Sequence, residues 1–67
     1  MSYLLDRAKR LRHAYGLVKT DSAPKQIGLR RIRSILLLGD KEPEYAAILL
    51  REAEHYLLHA RARDPGR

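Results

Sequence analysis

Apolar residues recur every three or four positions along most of the chain, and nowhere do they alternate with period two. The longer spacing lines up side chains on one side of a helix; strict alternation would mark a strand. Val, Ile and Thr are sparse as well, so the chain is expected to be all-α.

Three segments carry the period. From about residue 2 to 18, Leu4, Ala8, Leu11, Tyr15 and Val18 step by fours and threes, with Ser2 as the N-cap. Lys9, Arg10 and His13 fall on the opposite side. From about 23 to 38 the dry stripe is Leu29, Ile32, Ile35 and Leu36, with Gly28 and Gly39 on the same side. Ser22 precedes this helix as its N-cap, and Pro24 sits in the first turn, where a missing N–H costs little. Gly39 ends it as a left-handed residue. From about 43 to 63, Tyr45, Leu49, Ala53, Tyr56 and Ala60 form a stripe widened by Ala46, Leu50 and Leu57. Its first turn holds Pro43 and Glu44 and its last turn Arg61 and Arg63, which suits the helix dipole. Residues 64–67, "DPGR", read as a frayed tail.

Short connections between three amphipathic helices imply one domain over residues 1–67, built as a compact three-helix bundle. The first two helices and their turn also fit a helix-turn-helix unit. Gly28 inside the second helix costs roughly 1 kcal/mol against alanine, which marks it as the site of a close helix crossing. The tyrosines Tyr15, Tyr45 and Tyr56 are expected in the core, with hydroxyls at its rim.

A domain of this size buries only about 60% of the surface its unfolded chain exposes. No cysteine is present to add a disulfide or a thiolate metal site, so association is the remaining way to bury more. Leu17, Leu37, Leu38, Ile48 and Leu58 fall off the three stripes. They point to a second buried surface, with Leu37, Leu38, Ile48 and Leu58 facing another copy in a homodimer or a protein partner. No apolar run approaches the roughly 20 residues that span a bilayer, and Asp6 and Arg7 interrupt any secretory core near the N-terminus. A cytoplasmic protein with no membrane partner is the expectation.

Charge sharpens the picture. The net charge is +6, but residues 1–33 carry nine Lys/Arg against Asp6 and Asp21, whereas residues 34–67 carry five against six acids. Nearly all the excess is therefore in the first two helices. A merely solvated face would mix signs; this one does not. Lys25, Gln26, Arg30 and Arg33 project together from the second helix, with Arg31 toward one edge. These are side chains that contact phosphates and base edges. Lys9, Arg10 and Arg12 on the first helix would hold flanking backbone. With no Phe or Trp and no tyrosine interleaved with the basic run, stacking platforms for single strands are missing. The expected partner is double-stranded DNA or structured RNA, and the expected role is regulatory. The alternative is a protein-interaction module that meets an acidic or apolar partner surface.

Other chemistry is poorly supplied. Glu52, His55 and His59 share the wet side of the third helix at spacings used by metal sites, but the other helices lack the further carboxylates that a di-iron site needs. No metal and no cofactor are expected. "EAEHYLLHARARDP" resembles the second helix of a tetratricopeptide repeat through Ala53, Tyr56, Ala60, Asp64 and Pro65. The resemblance covers the last fifth of the chain. It does not extend upstream, because Gly39-Asp40 lies too far from Glu52-Ala53 for the repeat's short turn, and it carries no function here. Ser2 and Ser22 read as caps, and no Gly-rich phosphate loop is present, so no enzymatic activity is expected.

Overall fold

The computed structural model describes residues 3–65. Three helices follow one another: α1, Tyr3–Gly16; α2, Ala23–Leu38; and α3, Pro43–Ala62. The N-cap expected at Ser2 lies outside the described residues. α2 and α3 form the larger interface, and α1 lies against both. The molecule measures 37 × 17 × 14 Å. A helix of 16 residues is about 24 Å long and one of 20 residues about 30 Å, so α2 and α3 run along the long dimension.

The boundaries follow local chemistry. α1 ends two residues before Val18, where the chain tightens: Leu17 N–H donates to Ala14 O and Val18 N–H to Tyr15 O, both at 3.1 Å. Ser22 takes the N-cap place of α2 in extended conformation, but its hydroxyl makes no capping bond. Pro24 occupies the first turn, as expected. Gly39 has φ +60° and its N–H donates to Ile35 O at 3.0 Å, which turns the chain toward α3. Glu42 stands at the N-cap of α3 and Pro43 follows it.

The core gathers Ala8, Tyr15 and Val18 from the N-terminal segment, Ile32 and Ile35 from α2, and Ala46, Leu49, Leu50, Ala53, Leu57 and Ala60 from α3. Two expectations need correction. Tyr45 is 52% exposed, and Tyr56 is only half-buried. The rest of the expected stripe is buried, and the face centres on Ala46, Ala53 and Ala60, all fully buried at seven-residue steps. Methyl side chains let α1 and α2 come close to this line, and Tyr45 and Tyr56 lie off it. Leu38, expected on an outer surface, is half-buried against the core, because the short turn brings α3 back alongside the end of α2.

Tyr15 uses the room that these small residues leave. It is fully buried, and its hydroxyl donates to Ala53 O of α3 at 2.5 Å rather than reaching the rim. On the way it crosses Gly28 of α2, where any Cβ would overlap the phenol. Gly28 is thus the close crossing that its place in the helix implied. Burial pushes the Tyr15 phenol up from 10.0 to about 12, because the charged form would lose its water.

The end of α3 is also tied down. Asp64 is buried, its Oδ1 accepts from the Thr20 hydroxyl at 3.0 Å, and its Oδ2 accepts from Lys19 N–H at 3.2 Å. Asp64 thereby holds the α1–α2 connection. Of the tail expected to fray, this residue is fixed, and residues 66 and 67 lie outside the described ones.

Candidate nucleic-acid interface

The eight basic and polar residues singled out from the sequence do not form one surface. Lys9, Arg10 and Arg12 are exposed on α1, and Gln26, Arg30 and Arg33 are exposed on α2. Lys25 and Arg31 are half-buried and already engaged. The Lys25 ammonium donates to Val18 O at 2.6 Å, which places a cation at the C-terminal end of α1, where it suits the dipole. The Arg31 Nε donates to Glu52 Oε1 at 2.9 Å across the α2–α3 interface.

The remaining cations divide between the two sides of α1. Arg12 and Arg33 line one groove between α1 and α2, about 290 Å³ in volume, with Leu29, Ile32 and Leu36 as its apolar floor. Arg12 also borders a neighbouring hollow of about 410 Å³ with Lys9 and His13. Arg12 is therefore the shared wall that links Lys9 to Arg33, and no carboxylate lines either hollow. Along α2 the exposed side chains Gln26, Arg30 and Arg33 continue the surface at steps of four and three. Seven residues of helix rise about 10 Å, which sets the length of this row. Arg10 lies elsewhere, in a hollow between α1 and α3 that it shares with Arg7, Glu54 and Arg61.

Two ion pairs of this kind were not legible in the sequence. Arg7 pairs with Glu54 across 47 residues and Arg31 with Glu52 across 21, and only the tertiary fold sets those partners. All four side chains are about 36–44% exposed, so each pair contributes at most about 1 kcal/mol to stability. Their larger effect is to neutralise charge on the α3 side of the bundle. The face bordered by Arg12 and Arg33 keeps its charge unpaired by any ion pair among the described residues.

The metal-type spacing on α3 resolves differently. His55 and His59 are exposed, with Nε2 atoms 3.1 Å apart, while Glu52 turns to Arg31. Among the described residues no group of three or more ligating side chains comes together. Of the apolar residues assigned to an outer surface, Leu37, Ile48 and Leu58 are exposed. Among the described residues no helix is long and apolar enough to cross a membrane.

No protein-family profile matches the chain, and comparisons with curated proteins and with solved structures find no match.

Proposed function

We propose that this is a small helical nucleic-acid-binding protein that holds the backbone of a duplex along the α1–α2 face. The observation that carries the reading is the convergence of Arg12 and Arg33 from two helices on one groove without a carboxylate in its lining. Lys9 and Arg30 extend the cationic surface on either side, and Gln26 supplies a hydrogen-bonding side chain at its end. Because these contacts are to phosphates, binding is driven by counterion release and is weakly selective for sequence.

Backbone contact along this face does not require insertion of a recognition helix. α2 is too long to lie across a body 17 Å wide and runs along it. A lengthwise face of this shape suits contact along the phosphates rather than end-on entry to the major groove.

Fluorescence anisotropy of a labelled duplex, titrated at several salt concentrations, tests the reading. Four phosphate contacts, from Lys9, Arg12, Arg30 and Arg33, give a log–log salt slope of about −3.6, or about a 150-fold loss of affinity from 50 to 200 mM salt. Neutralising Arg12 and Arg33 together to glutamine should halve that slope to about −1.8. Unchanged affinity and slope in the double variant would overturn the proposal. A second reading, a protein-interaction module, is supported by the exposure of Leu37, at 78%, and of Leu17. It predicts no salt-dependent duplex binding at all.

A further inference from the structure

The side of α3 that faces away from the core carries a regular row of its own. Glu44, Ile48, Arg51, His55, Leu58 and Ala62 follow one another at steps of four, three, four, three and four, and all six are exposed. That is the spacing of a coiled-coil seam. The core does not use it, since α1 and α2 cover the opposite line of Ala46, Ala53 and Ala60. Two large aliphatics stand in the row, Ile48 at 54% and Leu58 at 64% exposure.

We propose that this row is the contact face for a second copy of the chain, docked antiparallel with its two-fold axis at the level of Ala53. In that register Ile48 meets Leu58 of the second copy, Arg51 meets His55, and Glu44 meets Ala62. Each aliphatic finds an aliphatic, twice by symmetry, and the Arg51–His55 layers supply the polar positions that fix register. A parallel arrangement would instead stack Glu44 on Glu44 and Arg51 on Arg51.

Charge selects the same orientation. The start of α3 is acidic, with Glu42 and Glu44, and its end is basic, with Arg61 and Arg63. Antiparallel docking sets each acidic end beside the basic end of the other copy and opposes the helix dipoles favourably. Glu52 and Glu54 flank the middle of the seam, where two like carboxylates would meet their counterparts. Each is held by an arginine of its own chain, Arg31 and Arg7 respectively, so both arrive neutralised. The cationic α1–α2 face is not part of the seam, and the inference stands independently of duplex binding.

Sedimentation equilibrium from micromolar to millimolar concentration, without nucleic acid, reads the association directly. A reversible monomer–dimer equilibrium is expected. Ile48→Asp should weaken it by more than tenfold while leaving the helical circular dichroism unchanged, because the residue is exposed. The chain has no cysteine, so single cysteines report orientation cleanly. Chains carrying Ile48→Cys and Leu58→Cys, mixed under mild oxidation, should form the mixed disulfide in excess over either self-disulfide. A monomer at every concentration would overturn the proposal and leave the row to a different partner. So would a dimer indifferent to Ile48→Asp, or a predominance of the Ile48→Cys self-disulfide, which reports the parallel arrangement.

Discussion

Replacing Gly28 with alanine sets two effects against each other, and the structure decides between them. In a helix interior the change should stabilise by about 1 kcal/mol, because glycine loses more backbone freedom on folding. Here the added Cβ would overlap the Tyr15 hydroxyl and come within 2.2 Å of a ring carbon. The ring has little freedom to move aside, since it is fully buried and pinned through its hydroxyl to Ala53 O. Displacing it sacrifices a hydrogen bond worth about 1 kcal/mol and strains the neighbouring core by about 1–3 kcal/mol. After subtracting the helical gain, Gly28→Ala should destabilise by about 1–3 kcal/mol, each kcal/mol lowering Tm by about 4–8 °C in a domain of this size. Urea and thermal unfolding followed by circular dichroism measure it. Gly16→Ala is the control, because nothing lies within 4 Å of its Cβ position and its φ is ordinary. In a Tyr15→Leu background the penalty at residue 28 should disappear. A higher Tm for Gly28→Ala in the otherwise unaltered chain would refute the reasoning, since it would mean the phenol does not occupy that space.

Three further outcomes follow from the same geometry. With its phenol raised from 10.0 to about 12, Tyr15 stays protonated in the fold while it ionises in the unfolded chain. Its contribution is therefore whole below pH 10 and is lost as pH climbs toward 12, at about 1.4 kcal/mol per unit. The difference in unfolding free energy between the unaltered chain and Tyr15→Phe, measured from pH 9 to 12, should shrink with that slope; a flat difference would contradict it. Arg31→Gln should leave the salt slope of duplex binding unchanged, because Glu52 holds this guanidinium; a loss as large as that of Arg33→Gln would put Arg31 on the binding face. Asp64→Ala should lower stability by about 1–3 kcal/mol in urea titrations, because it strands Lys19 N–H and the Thr20 hydroxyl.

The helices were legible because their punctuation was strong. Ser22, Pro24 and Gly39 bracket α2, and the structure places its ends at Ala23 and Leu38 as the pattern implied. α3 was harder to orient than to delimit. Its alanines count as weakly apolar in a periodicity reading, so the larger tyrosines pulled the inferred stripe toward Tyr45 and Tyr56. In the folded chain closeness of approach outweighs hydrophobic size, and the alanine line wins. The basic set was legible as composition but not as a surface. Nothing local distinguishes Arg31 from Arg33; Glu52, 21 residues from Arg31, does so. Lys25 was spent on a backbone carbonyl that the end of α1 leaves open, a use that appears once the turn between the helices is known. The exposed row on α3 proposed above as a seam was visible in the sequence only as scattered aliphatics, Ile48 and Leu58, until the covered face of the helix was established.

The anchoring of Asp64 makes the two ends of the residue 20–64 stretch neighbours through noncovalent bonds. Helix termini ordinarily fray first and independently of the rest, with opening energies near zero. Here the final turn of α3 cannot loosen without releasing Thr20 and Lys19, and the α1–α2 connection cannot shift without pulling on Asp64. Two regions that would each be a soft spot in isolation are thus merged into one cooperative unit. The six residues between the basic helices behave as part of the scaffold rather than as a hinge.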